Sequence, residues 1–356
     1  MLFCADPEGS HALAIRSAEL AGRFPSFCAA LAARRAPHDE RLQIEVAGLA
    51  MRSPLGLAAG FDKSGRAVQL LSALGFGHLE VGSISAEPSA GNPKPRLFRI
   101  PQDHGIVVNY GLPNDGADRV AQRLADARLP VPLGINVVST NRGPDAPPDS
   151  DETVIGDYLR SVRRLQPCAD YLCLNLSCPN TRDGRNFFHE PARLAALLSG
   201  LDELGLATPL FLKVAPFADG HELERFLATV EPVRCVSGFS MNLPSGKPEG
   251  LGTDPARLAR MPGAVSGRPA ASLADRMIAE LYRHMDRRRY RLIGSGGVFS
   301  AADAYRKIRL GASLVQMLTA LVYEGPGIVA PINDGLARLL EADGVTRVAD
   351  AVGVDA

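Results

Sequence analysis

Eight short apolar runs, at 56–60, 78–85, 131–138, 171–178, 209–216, 236–242, 291–298 and 312–319, alternate along this chain with stretches of helical spacing. Those stretches fall at 66–74, 117–127, 153–165, 192–204, 222–230, 272–283 and 301–308. Strict alternation of this kind builds a parallel sheet whose strands are covered by helices. Eight units predict a closed (β/α)8 TIM barrel, with a doubly wound open sheet as the rival architecture. The chain has 356 residues, more than the ~250 of a bare barrel, so an appendage is expected.

The appendage is expected at the amino end. Segments 10–24 and 26–35 carry Leu13, Leu20, Phe24, Phe27 and Leu31 with few charges between them. They read either as a helical cap packed on the barrel or as a hydrophobic docking surface for a membrane interface or a lipid-like substrate. The organisation that follows is a helical extension over 1–40, a barrel over 41–345 and a tail over 346–356. The tract 139–152, rich in Pro, Asp and Ser, reads as a mobile loop after the third strand.

Charge and cysteine usage exclude several functions. Thirty-nine basic residues balance 39 acidic ones, so no field draws in a polyanion and nucleic acid is not an expected partner. Cys4, Cys28, Cys168, Cys173, Cys178 and Cys235 form no CxxC pair and no zinc spacing, which points to a reducing compartment and no metal. No apolar run is long enough to span a bilayer.

In a barrel of this kind chemistry sits where strands end at their carboxyl edge. The third strand ends near Asn136, the fourth near Asn175 with Cys178, Asn180 and Thr181 beyond it, the fifth near Lys213 and the sixth near Asn242. Amides placed there can hold a flat heterocycle by its donor and acceptor edge, and an ammonium beside them stabilises negative charge on that ring. Each residue alone is equally a cap on strand-end backbone groups; four together favour a flavin-like or pyrimidine-like ligand. Strand seven runs into Gly294, Gly296 and Gly297, and strand eight ends at Leu318 and Thr319. The loops after these strands are the usual phosphate cradle of the fold. Cys178, held between Ser177 and Pro179, is a candidate general base if its thiol is activated, whereas Cys173 inside the strand reads as a small buried hydrophobe.

These residues lie in longer motifs: Asp6-Pro-Glu-Gly-Ser-His11, Leu57-Ala-Ala-Gly-Phe-Asp-Lys63, Glu80-Val-Gly-Ser83, Gly91 to Arg99, Asn175 to Thr181, Lys213-Val-Ala-Pro216, Ser266-Gly-Arg-Pro269, Gly311 to Gln316 and Val322 to Pro326. On them the chain resembles the dihydroorotate dehydrogenase family, in its membrane-associated, quinone-using branch. The resemblance implies an FMN enzyme of pyrimidine biosynthesis that oxidises dihydroorotate and passes the electrons to a quinone. It places Ala59, Gly60, Lys63, Ser83, Asn136, Asn175, Lys213, Gly267, Gly296, Gly297, Leu318 and Thr319 around FMN. Lys63, Asn109, Tyr110, Gly111, Leu112, Asn175, Asn180 and Asn242 fall on the substrate, and His11 and Arg99 on the quinone. Cys178 stands where the family has its catalytic base, with Thr181 as a proton relay. The quinone branch usually has serine at that position and the soluble branch cysteine. Peripheral contact with the cytoplasmic side of a membrane through residues 1–35 is implied as well.

The chain departs from the family pattern in places. Val108 falls where a substrate-binding asparagine is usual, with Asn109 adjacent, and Met241 and Leu243 replace threonines that flank Asn242. Leu318 stands for a common tyrosine. A related FMN oxidoreductase acting on another small ring or enone is therefore a second reading, and a non-catalytic barrel binding FMN or phosphate is a third.

Overall fold

The computed structural model describes residues 5–143, 145–178, 186–242 and 245–356. Eight parallel strands close on themselves: β1 Leu55–Leu57, β2 His78–Ile84, β3 Leu133–Val137, β4 Tyr171–Asn175, β5 Leu210–Val214, β6 Val236–Met241, β7 Arg291–Gly294 and β8 Leu314–Met317. Neighbours in space are neighbours in this order, and the barrel shuts where β8 pairs with β1, Val315 beside Leu55 and Met317 beside Leu57. The open-sheet rival is thereby excluded. Strands β3, β4 and β5 are buried along their whole length, which is why they read as unbroken apolar runs rather than as alternating ones.

Two glycines set the packing inside the barrel. A Cβ on Gly56 would lie 2.2 Å from the His78 ring, and one on Gly134 would lie 2.1 Å from the Tyr171 ring. Large rings on β2 and β4 thus fill the space that glycine leaves on the adjacent strand, and even alanine would not fit.

Helices Ala117–Leu124, Asp151–Leu165, Pro191–Glu203, Gly220–Val230, Ala271–His284 and Ala301–Arg309 cover the outside, close to their expected positions. The segment expected at 66–74 is one helical turn, Val68–Leu71, followed by a 3-10 turn at Ser72–Leu74. Three further elements lie outside the expected pattern: a hairpin of Ile44–Val46 and Leu49–Met51, a closing helix Val329–Ala342, and an antiparallel sheet of Leu97–Ile100, Gly105–Val108 and Ala264–Gly267. That sheet stands at the carboxyl edge of the barrel and carries Arg99, Val108 and Gly267 to the cavity described below.

At the amino end, α1 (Pro7–Gly22) and α2 (Pro25–Arg35) form the expected helical pair. Asp6 starts α1 by accepting from the Gly9 amide at 2.6 Å, with Pro7 in the first turn where its missing N–H costs nothing. The Arg96 guanidinium fastens the helix to the barrel, donating to Glu8 Oε1 at 2.9 and 3.1 Å while also holding the carbonyls of Ala90 and Asn92.

Candidate active site

One cavity of about 1050 Å³ runs from the carboxyl edge of the barrel outward between α1 and α2. Its inner wall is made by Asn175, Cys178, Lys213 and Asn242, and its outer wall by the side of α1 that carries Ser10, His11, Ala14, Ser17, Ala18 and Ala21. Those positions recur every three or four residues, the spacing of one helix face. All but His11 are small, which leaves room between helix and barrel.

A line of polar groups crosses the inner end. Asn136 Nδ2 donates to Glu80 Oε1 at 2.9 Å, and the Ser83 hydroxyl donates to Asn136 Oδ1. Asn175 Nδ2 donates to Ser83 Oγ at 3.2 Å, and Asn242 Nδ2 donates to Asn175 Oδ1 at 2.8 Å and to the Ser177 carbonyl at 2.9 Å. The Asn136 side chain is fully buried beneath this row and off the cavity wall. Beside it lies Lys213, only 9% exposed. Among the described residues its ammonium has no hydrogen bond and no ion pair. A cation buried without a partner is costly, so this end of the cavity suits a group that can accept its protons or carry negative charge. Cys178 is buried on the same wall. Close by, the Tyr158 phenol donates to the Asn175 carbonyl at 2.6 Å and is held well above its ordinary pKa, chiefly by burial.

On the other side the backbone comes close. Gly267 has φ +98°, and a Cβ there would sit 2.4 Å from the His104 carbonyl oxygen. Gly297 has φ +72°, and its Cβ would sit 2.5 Å from that of Ala271, at the start of helix Ala271–His284. Both positions admit only glycine. With Gly296, Ser266 and Thr319, whose hydroxyls lie 3.0 Å apart, they form a small polar hollow at a helix amino end, the setting that suits a phosphate. Ala59, Gly60 and Leu318 close the wall between the hollow and the amide row. The donor set therefore fits a flavin phosphate at one side and a polar ring over Lys213 at the other.

At the helical side, Lys63 Nζ lies 3.2 Å from His11 Nε2 and 4.0 Å from the centre of the Tyr110 ring. Burial lowers the Lys63 pKa to about 8, against the pull of Asp62 and Glu8, while Arg96 pushes it further down. Burial and then the Lys63 charge push His11 down to about 3. Arg99 donates to the Ala5 carbonyl at 3.1 Å and faces the same cavity. Tyr323, also on that wall, donates to the Gly105 carbonyl at 2.6 Å, and burial pushes its phenol up to about 12.

A family model for dihydroorotate dehydrogenase matches residues 41–340. The chain belongs to the dihydroorotate dehydrogenase family. Proteins named dihydroorotate dehydrogenase (quinone) from Natronomonas pharaonis and Rhodospirillum rubrum are 37% and 40% identical to it, over 99% of this chain in both cases and 97% and 93% of theirs. A crystal structure of the dihydroorotate dehydrogenase of Eimeria tenella in complex with ferulenol superposes with a TM-score of 0.85 at 29% identity, covering 98% of this chain and 96% of that one. These matches support the quinone-using branch and, with it, a flavin-dependent oxidoreductase.

Against the family pattern, Tyr110, Gly111 and Leu112 stand on the cavity wall, and so do the apolar departures Val108 and Met241. Asn109 does not: it is off the wall, and its Oδ1 accepts from Asn92 Nδ2 at 3.1 Å. The position next to Val108 therefore does not supply an amide to the cavity. Asn180, Thr181 and Leu243 lie outside the described residues. Ser177, beside Asn175 at the end of the fourth strand, was within the polar set the sequence suggested, whereas Glu80 and Gln316 received no role. For Glu80 a signal was present, since a carboxylate between Leu79 and Val81 in a buried strand is out of place unless something satisfies it.

Proposed function

We propose that this chain binds FMN across the mouth of the barrel, with its phosphate in the hollow of Gly267, Gly296, Gly297 and Thr319, and oxidises dihydroorotate to orotate with a quinone as acceptor. The observation that carries this reading is the single cavity that joins Lys213, buried and without a hydrogen-bond or ion-pair partner for its ammonium among the described residues, to an apolar passage between α1 and α2. FMN held there would supply a two-electron acceptor for the hydride equivalent of the substrate and a donor for the quinone. Lys213 offsets negative charge at the ring edge. Lys63, Asn175 and Asn242, joined by Asn180, hold the substrate carboxylate and ring amides and fix its plane, which supplies orientation as well as affinity. Cys178 Sγ, as thiolate, takes the proton from the ring carbon beside the carbonyl, and Thr181 relays it outward. His11 and Arg99 meet the quinone head group at the helical end, where an apolar ring finds the small-residue face of α1. Exposed Leu13, Leu20 and Phe24 support peripheral membrane contact through α1 and α2; no helix among the described residues is long and apolar enough to cross a membrane.

The test is anaerobic. Dihydroorotate should bleach the visible absorption of the purified yellow protein, and a quinone should restore it. Cys178→Ala should retain the flavin and lose bleaching by about a hundredfold or more, the range general-base catalysis supplies. A wild-type spectrum left unchanged by dihydroorotate sinks the substrate assignment, and undiminished bleaching in Cys178→Ala removes Cys178 from the proton transfer.

A further inference from the structure

Glu80 is a buried carboxylate that lies off the cavity wall and takes no part in the proposed reaction, yet the inner end of the amide row hangs from it. It projects from β2 into the barrel interior, 1% exposed. Its Oε1 accepts from Asn136 Nδ2 at 2.9 Å, and its Oε2 accepts from Gln316 Nε2 at 3.0 Å and the Tyr171 hydroxyl at 3.3 Å. An ionised carboxylate can only accept. Turned the other way, Asn136 would bring two acceptor oxygens together in a dry interior, so its amide oxygen must face away from Glu80.

The next link inherits that direction. An amide oxygen only accepts, so the Ser83 hydroxyl must donate to Asn136 Oδ1. Having spent its proton, Ser83 Oγ accepts from Asn175 Nδ2 at 3.2 Å. That turns Asn175 Oδ1 toward Asn242, whose Nδ2 donates to it at 2.8 Å. The far end of the row is set by the backbone of Ser177 as well, whose N–H donates to Asn175 Oδ1 at 3.4 Å and whose carbonyl accepts from Asn242 Nδ2 at 2.9 Å, so both ends agree on one direction. Amides otherwise flip at little cost, because their two ends have nearly the same shape.

We infer that Glu80 is a positioning residue: as an acceptor it sets the direction of the Asn136 amide and of the Ser83 hydroxyl, so that Ser83 Oγ turns only lone pairs toward Asn175 and the ligands on the cavity wall. The inference rests on the proposed function for what those ligands are, while the hydrogen-bond polarity itself does not. In Glu80→Gln the side chain keeps its shape but can donate as well as accept, so Asn136 and Ser83 lose their preferred direction while Asn175 and Asn242 stay held by Ser177. A site whose polar groups are reversed loses affinity for the ligand it was built to bind.

Two measurements decide it. Neutron diffraction from the wild-type holoenzyme reads the deuterons directly and needs no variant. The expected map has both Asn136 Nδ2 deuterons, one aimed at Glu80, with none on the carboxylate. A deuteron on Glu80 Oε1, or Asn136 turned over, overturns the inference even if Glu80→Gln fails to fold. The second is a cycle of Glu80→Gln, Ser83→Ala and the double variant in flavin-loaded enzyme, reading orotate dissociation and the KM and kcat for dihydroorotate. Glu80→Gln is expected to weaken orotate binding and raise KM at least tenfold with a smaller change in kcat. The double variant should be no worse than about twofold beyond the more impaired single variant, because both cut one chain. Orotate affinity within twofold of wild type in Glu80→Gln, or multiplicative losses in the double variant, refutes it. A wild-type flavin that dihydroorotate does not bleach would instead sink the proposed function and leave the neutron result standing.

Discussion

Lys63 is the residue on which the two ends of the cavity meet. Its ammonium touches His11 on α1 and lies over Tyr110 on the barrel side, and burial brings its pKa down to about 8. Below that pH it is a cation and attracts an anion such as orotate; above it the charge is lost and the attraction goes with it. Orotate affinity should therefore hold steady from pH 6 to 7.5 and fall as pH rises through about 8, by up to tenfold per unit if binding needs the charged form. Lys63→Met should bind orotate more weakly and flatten that alkaline fall; a fall of equal steepness in the variant would assign it to another group. Lys213, Asn175 and Asn242 were legible because each is a polar residue where an apolar strand finishes, and Lys63 through the Leu57-to-Lys63 motif that carries the resemblance. Their partners were not. Glu80 meets Asn136, 56 positions away, and Gln316, 236 positions away, and no local pattern encodes a contact across the barrel. Asn109 is the converse case, an amide adjacent in sequence to the expected position whose backbone turns it toward Asn92.

At the scale of elements, the eight strands were legible because burial on both faces leaves an apolar run that nothing else in the chain imitates. Their carboxyl ends were read too long: the run at 171–178 stops pairing at Asn175, and that at 291–298 stops at Gly294. The small and apolar residues continue past the strand because they also line the ligand cavity. The sheet of Leu97–Ile100, Gly105–Val108 and Ala264–Gly267 escaped notice, since its strands are four residues each, two of them separated from the third by well over a hundred positions. Helices α1 and α2 were legible as helices, and their exposed side explains their apolar excess. Leu13, Leu20 and Phe24 are 58%, 58% and 59% exposed, while the small-residue face of α1 lines the cavity. A helix pair apolar on its outer side as well suits an interface. Replacing Leu13, Leu20 and Phe24 by Ser should release the protein from phosphatidylethanolamine–phosphatidylglycerol vesicles in a sedimentation assay and raise the KM for a long-chain quinone carried in them. Bleaching by dihydroorotate should not change. Vesicle binding equal to wild type would make that surface a mere cap.

The molecule as a whole has one main core, inside and around the barrel, and acid should attack it from within. His78 is fully buried there, packed on Gly56, with no hydrogen-bond partner for Nδ1 among the described residues and burial pushing its pKa down to about 3. In the unfolded chain the same imidazole takes a proton near pH 6.5. Between those two values the unfolded state binds more protons than the folded one, so stability is fully present above about pH 6.5 and falls as pH drops. The slope approaches ~1.4 kcal/mol per pH unit for one such group. His11, also pushed down to about 3 by burial and by the Lys63 charge, adds to the slope in the same window and in the same direction. Urea unfolding at pH 8, 7, 6 and 5, with FMN saturating throughout, should show a plateau followed by a decline. His78→Asn should lower stability at every pH, because it opens a hole beside Gly56, yet decline less steeply below pH 6.5, by about one proton's worth of slope. Parallel curves for the variant and the wild type would mean that His78 takes its proton without unfolding the barrel. The interior would then be open to water at the level of β2, a conclusion at odds with the dry row that Glu80 anchors on the same strand.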